Sequence, residues 1–169
     1  MAGRCANFIL SAQGSLDNVT YFGSIGQDER GQILENDLQK EGIRTKMHKE
    51  ENVETSVCAI LILNKERTMC CNLAAAQKYP TSHFLANIDV VQEAKILYTT
   101  GHFIFSNNDV VKQLGSIANE KNIPFFFNLS AEYTMQFELS KVLQAIEYAD
   151  FVLCNEHEAK EFAKTQNID

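Results

Sequence analysis

Asn155-Glu156-His157-Glu158 is the stretch whose residue types and spacing could do chemistry. An amide and a carboxylate stand three residues apart, directly after the apolar run Phe151-Val152-Leu153-Cys154. Two readings are open. In the first, Asn155 caps a helix and Glu158, at the third helical position, reaches back to the cap, so two otherwise orphaned N–H groups are satisfied reciprocally. In the second, Asn155 and Glu158 face a polyphosphate and its metal. A carboxylate repels phosphates unless a hard cation stands between them, so Glu158 would act through Mg²⁺ and its waters. The helix N-terminus would add a field of ~0.3–1 kcal/mol favouring an anion.

Asn128-Leu129-Ser130-Ala131 places an amide and a hydroxyl after another apolar run, although both are ordinary turn formers. Arg67 stands beside a turn, where it is either a solvated charge or a bidentate clamp for a phosphate. Gly23-Ser24-Ile25-Gly26-Gln27-Asp28, with Gly31 next, lacks the third glycine of a dinucleotide fingerprint and the Gly-Lys-Ser/Thr of a P-loop. Its glycines are expected to serve turns and close helix packing. The histidines 48, 83, 102 and 157 are scattered without metal-ligand spacing, so no zinc site is expected. Cys5, Cys58, Cys70, Cys71 and Cys154 form no C-x-x-C pair, which suits reduced thiols rather than a disulfide framework. Cys58, Cys70, Cys71 and Cys154 have apolar or small neighbours, and core packing is the expectation for them.

The elements that must position these residues alternate between strand and helix. A helix is expected over Ala2–Ala12 and a strand over Val19–Ile25. Asp28 then caps a helix carrying Ile33, Leu34 and Leu38, and Gly42 ends it in the left-handed C′ position. Val57–Leu63 and Arg67–Leu73 read as a hairpin around Asn64-Lys65-Glu66, without the usual glycine. Beyond it come a helix at Ile88–Ala94, a strand at Ile96–Thr100, and a helix at Asp109–Glu120 capped by Asn107 or Asn108. A strand at Pro124–Leu129, a helix at Met135–Tyr148, a strand at Phe151–Cys154 and a helix at Glu156–Thr165 complete the series. Short apolar strands separated by helices indicate an α/β fold, a parallel sheet covered on both faces. Ligands of such sheets bind beyond the carboxyl ends of the strands, here Thr99-Thr100-Gly101, Asn128-Leu129-Ser130 and Cys154 to Glu158.

The length of 169 residues suits one domain of about 100–200 residues, able to bury ~70% of its unfolded surface. With 15 Lys+Arg against 22 Asp+Glu the net charge is −7, which argues against a nucleic-acid polymer as partner. The longest uninterrupted apolar run, Val57–Leu63, is far short of the ~20 residues of a membrane span, and no signal peptide is read at Met1. A soluble protein without a membrane partner is expected.

These residues resemble the adenosine kinases within the ribokinase-like (phosphofructokinase-B-type) carbohydrate kinases. The stretches that carry the resemblance are Ala2-Gly3 through Asn7, Phe22-Gly23-Ser24-Ile25-Gly26 with Asp28 and Gly31, Cys58-Ala59, Arg67 to Ala76 (RTMCCNLAAA), Asn128-Leu129-Ser130-Ala131 and Asn155-Glu156-His157-Glu158-Ala159. Asn-Leu-Ala-Ala-Ala with Asn-Leu-Ser-Ala marks the adenosine kinase branch, and Asn-x-x-Glu the wider family. Ala2 stands where the family has the first of two glycines, and Arg4 where a small residue is usual.

The resemblance implies an α/β domain with a small β lid, its strands within about 43–73, and ATP-dependent phosphorylation of the 5′-hydroxyl of adenosine to give AMP, a step of purine salvage. Carried over by position, Gly3 and Asn7 would hold the ribose. Met69 and Cys71 would present one face of a lid strand to the adenine, with Phe103 and Tyr133 adding to the base pocket. Arg67 would neutralise phosphate charge, while Asn128, Asn155 and Glu158 would serve the Mg²⁺–ATP side. Family members are about twice as long. No Gly-Ala-Gly-Asp, which supplies their anion hole and catalytic base, occurs in these residues, and their N-terminal strand with its ribose-binding aspartate has no counterpart. Asp28, Asp109 and Asp150 do not follow a Gly-rich turn and cannot replace that base. The expectation is therefore the middle of such a kinase, inactive by itself, whose full-length form is a cytoplasmic (or also nuclear) monomer. The alternatives are a non-catalytic nucleoside-binding or partner-pairing half domain, and another ribokinase-family kinase acting on a sugar or on pyridoxal.

Overall fold

The computed structural model describes residues 19–64 and 66–168. The helix expected over Ala2–Ala12, with Gly3, Arg4, Cys5 and Asn7, lies outside the described residues. Two compact units divide the chain, parted in sequence between Pro80 and Thr81.

In the first unit, strand β1 (Thr20–Gly26), helix α1 (Glu29–Lys40) and strand β2 (Arg44–Glu50) form a βαβ unit. The strands pair in parallel, Thr20 opposite Arg44 through Gly26 opposite Glu50. Asp28 caps α1, its Oδ1 accepting from Gly31 N at 2.9 Å, and Gly42 takes the left-handed φ of 78° after the last turn, both as expected. Leu38 buries against Ile25, Ile43 and Met47, with Leu34 packed beside them. Ile33, expected on the same stripe, is 52% exposed, because the i, i+4 pair Leu34–Leu38 already faces the sheet. No separate strand was read at β2, where Met47 is the one strongly apolar residue in RTKMHKE.

Of the span 43–73, only the hairpin is antiparallel: β3 (Val57–Leu63) and β4 (Glu66–Asn72) pair from Val57 opposite Asn72 to Leu63 opposite Glu66. Asn64 supplies the left-handed turn residue (φ 50°) that the missing glycine would have supplied. A 3₁₀ turn at Ala74–Gln77 is tied to the preceding loop, Ala75 N donating to Glu54 O at 3.1 Å.

The second unit runs α2 (Thr81–Leu85), α3 (Ile88–Gln92), β5 (Leu97–Thr100), α4 (Gly101–Lys121), β6 (Phe125–Asn128), α5 (Glu132–Tyr148), β7 (Phe151–Leu153) and α6 (Glu156–Thr165). Its strands form one parallel sheet in the order β5-β6-β7, as the alternation of short apolar strands and helices implies. Phe127, at 0% exposure, centres a core with Ile104, Val111, Leu129, Met135, Val142 and Ala145. On the edge strand β7, Phe151 and Val152 are 52% and 40% exposed; among the described residues no strand lies beyond this edge. Helix α4 starts eight residues before the expected Asp109. It kinks at Asn107, whose Oδ1 accepts from Val110 N at 3.1 Å, so the expected cap exists but joins two helical segments. Helix α5 likewise begins before Met135 and bends at Glu138.

Candidate functional site

Because β5, β6 and β7 are parallel and each is followed directly by a helix, the N-termini of α4, α5 and α6 all lie on the carboxyl-end edge of the sheet. That edge combines the crevice position favoured by ligands with three helix-end fields favouring anions. Backbone packing there is tight. A Cβ on Gly101 would lie 2.6 Å from Leu129 O, so only glycine lets α4 begin against the end of β6. Ser130 is buried and holds a left-handed φ of 73°, a conformation uncommon for a residue with a side chain. Asn128 stabilises it: its Oδ1 accepts from Ser130 N at 2.8 Å, and its carbonyl accepts from Ser130 Oγ at 3.1 Å.

At the neighbouring strand end the capping box is complete. Asn155 Oδ1 accepts from Glu158 N at 2.8 Å, while Glu158 Oε2 accepts from Asn155 N at 3.0 Å and Oε1 from Asn155 Nδ2 at 2.9 Å. Glu158 is only 2% exposed, whereas Asn155 is exposed. The first of the two readings of this motif is thus realised. These carboxylate and amide oxygens are a hard donor set that fits Mg²⁺ held through water. The Cys154 thiol nearby is pushed up by desolvation and by the Glu158 charge.

Tyr133, at the start of α5, is 41% exposed. Its hydroxyl meets His102 Nδ1 at 2.9 Å, their rings stack at 5.6 Å, and Phe105 lies 5.8 Å away. Phe103 instead packs onto the core around Phe127. The second unit therefore brings together Asn128 with Ser130, Asn155 with Glu158, and Tyr133 with His102. Sequence reasoning missed His102 and Phe105; the position of His102 directly after Gly101, at a strand end, was the available signal.

In the first unit, Arg67, Met69 and Cys71 alternate along β4 and share one face of the hairpin, opposite Ile62, Ile60 and Cys58. Cys58, Cys70, Cys71 and Cys154 are all exposed, which corrects the expectation that they pack in the core. Every residue of β3 and β4 is exposed, since a two-stranded ribbon has two faces and no described element of its unit covers either. The glycine reading holds: Gly31 has no room for a Cβ, which would lie 2.6 Å from Gly26 O and 2.8 Å from Thr55 Oγ1. Among the described residues, no group of three or more His, Cys, Asp or Glu could hold a metal ion. No described helix is long and apolar enough to cross a membrane.

Comparison with known proteins bears on the whole chain. A family model described as pfkB family carbohydrate kinase matches residues 1–169. The adenosine kinase of Dictyostelium discoideum is 34% identical over 151 residues, which cover 88% of this chain and 44% of that protein. The adenosine kinase of Saccharomyces cerevisiae is 30% identical over 166 residues, 98% of this chain and 48% of that one. Among solved structures, Anopheles gambiae adenosine kinase in complex with P1,P4-di(adenosine-5) tetraphosphate superimposes with a TM-score of 0.90 at 30% identity, covering 95% of this chain and 50% of that one. Schistosoma mansoni adenosine kinase in complex with 2-fluoroadenosine gives 0.90 at 26% identity, covering 97% and 49%. The fold is thus the ribokinase-like α/β fold expected. The chain spans about half the length of the curated relatives it matches. With the family model running from the first residue to the last, the chain belongs to the pfkB family of carbohydrate kinases.

Proposed function

We propose that this chain is part of an adenosine kinase, which transfers the γ-phosphoryl group of ATP to the 5′-hydroxyl of adenosine and releases AMP and ADP. The observation that carries this reading is the 34% and 30% identity to adenosine kinases over most of the chain. The geometry agrees with it. Exposed Tyr133 stacked on His102 offers an aromatic surface suited to a base, and the carboxyl-end edge of the sheet offers an anion-favouring field.

Phosphoryl transfer depends on positioning and electrostatic stabilisation far more than on covalent chemistry from the protein. Asn128 and Ser130 fix the backbone of the rim, and Asn155 and Glu158 brace one another at the helix start. Glu158 with Asn155 would hold Mg²⁺ through water, and the bound ion would neutralise phosphate charge. Arg67 would add a guanidinium to the phosphates, Met69 and Cys71 would face the adenine, Tyr133 would offer an aromatic surface for a base, and Gly3 and Asn7 would hold the ribose. Residues 1–169 contain no Gly-Ala-Gly-Asp to supply the base that takes the hydroxyl proton, so the chain alone binds without turning over.

Equilibrium dialysis of the purified chain with labelled adenosine, ribose and pyridoxal, combined with an assay for AMP in the presence of ATP and Mg²⁺, tests this reading. Adenosine bound in preference to the other two, without AMP formation, is expected. Preference for ribose or pyridoxal refutes the substrate assignment, and AMP formation lost in Glu158→Ala refutes the claim of inactivity.

A further inference from the structure

Cys58 and Cys71 face each other directly across the hairpin, and both are exposed. The Cys71 thiol donates to Cys58 Sγ at a sulfur–sulfur distance of 2.7 Å. Backbone geometry makes this more than proximity. Leu63 opposite Glu66 closes the hairpin, and antiparallel pairs alternate between hydrogen-bonded and non-hydrogen-bonded types. Directly opposite Cα atoms of either type stand about 4.5–5.5 Å apart, inside the roughly 4.4–6.8 Å span that a disulfide bridges without moving the backbone. Cys70 points to the opposite face of the ribbon, as successive strand residues must.

We propose that Cys58 and Cys71 form a redox modification site, a dithiol that small-molecule disulfides convert to a cross-strand disulfide. The Cys58 thiol loses its proton and attacks one sulfur of a disulfide RSSR. That S–S bond breaks, RS⁻ leaves, and a mixed disulfide remains on Cys58. The Cys71 thiol then loses its proton and attacks Cys58 Sγ, releasing the second RS⁻. The two released thiolates take up the two protons, so two cysteines are oxidised by two electrons while RSSR is reduced to two RSH. Cys71 is suited to the second step. The hydrogen bond to Cys58, with partial burial and the Cys58 charge, pushes its thiol up, so it keeps its proton until a neighbouring sulfur becomes electrophilic. If β4 faces adenine, which rests on the function proposed above, the bridge ties up one of the base-facing side chains and couples nucleoside binding to redox state.

The test treats the full chain with glutathione disulfide, isolates the monomer-sized species on a non-reducing gel, alkylates it and digests it with trypsin. Cys58 then lies in peptide 50–65, and Cys70 and Cys71 in peptide 68–78. Covalently joined peptides that persist in Cys70→Ser, vanish in Cys71→Ser and separate on reduction are expected. Mixed disulfides only, a Cys70–Cys71 bridge within one peptide, or a linkage found only between chains overturns the proposal. Adenosine binding measured on the same oxidised and reduced samples should weaken on oxidation and return with dithiothreitol. A bridge that forms in a chain without adenosine affinity in either state would sink the nucleoside reading and leave the redox site standing.

Discussion

Replacing Glu158 by Gln isolates the bracing of the Asn155–Glu158 pair. The carboxylate accepts two bonds from Asn155, at 3.0 Å from the backbone N–H and at 2.9 Å from Nδ2. Glutamine keeps one acceptor oxygen and turns an NH₂ toward the other donor. Asn155 cannot flip its amide to compensate, because its Oδ1 already accepts from Glu158 N at 2.8 Å. One donor beside a side chain only 2% exposed therefore loses its partner, which costs ~1–3 kcal/mol. Losing the negative charge at the start of α6 subtracts ~0.3–1 kcal/mol more. Relief of the cost of burying a carboxylate works the other way. The expected net loss is ~1–3 kcal/mol, read as a lower urea midpoint at unchanged slope. Asn155→Ala removes the Nδ2 bond to Glu158 Oε1 and the Oδ1 cap on Glu158 N but keeps the backbone N–H bond to Oε2, so in a double-mutant cycle the two losses, which share the Nδ2–Oε1 bond, should fall short of additive. A Glu158→Gln chain as stable as the parent, or strict additivity with Asn155→Ala, would show that the box seen here does not brace the helix.

Four further outcomes are expected. Phe127→Ala empties the centre of the second unit's core and should lower stability by ~3–5 kcal/mol in the same urea titration. Gly31→Ala should destabilise, because overpacking against Gly26 O and Thr55 Oγ1 at ~1–3 kcal/mol exceeds a helix-propensity gain of ~1 kcal/mol; a stabilised variant would refute that packing. Asp28 accepts from Thr55 Oγ1 at 2.6 Å, Thr55 N at 2.7 Å and Gly31 N at 2.9 Å, and its pKa is lowered from 3.8 to about 2, chiefly by the Thr55 hydroxyl. A depressed carboxylate stabilises fully above its ordinary value and loses that contribution as pH falls from 3.8 toward about 2, so Asp28→Asn should flatten the acid limb of stability against pH in that window. Cys58→Ala removes the main cause of the raised Cys71 pKa, so Cys71 should alkylate several-fold faster at mildly alkaline pH; an unchanged rate would refute the hydrogen-bond cause.

Where a signal lay within a few consecutive residues, the sequence was legible. Helix α6 was read at its observed bounds because Asn155 and Glu158 carry both halves of its cap, and α1 because Asp28 and Gly42 mark its ends. Asn107 or Asn108 is read as a cap, yet Gly101–Ser106 is not read as helix, since a polar cap in mid-pattern looks the same whether it opens a helix or joins two. Strand β2 was missed because RTKMHKE has no apolar alternation to announce it; its identity comes from pairing with β1.

By itself the sequence determined the family, the alternation of short apolar strands with capped helices, and the residues that end each strand. These depend on local composition and spacing, which survive in one dimension. Only the tertiary structure decided which apolar-flanked residues are buried. It exposed Cys58, Cys70, Cys71 and Cys154, which neighbouring residue types had assigned to a core. It buried Glu158, a residue whose charge argues for the surface. The reason is physical. Burial depends on what packs against a face from elsewhere in the chain, and no described residue of the first unit covers the hairpin, while Asn155 supplies Glu158 with hydrogen bonds that make its burial tolerable.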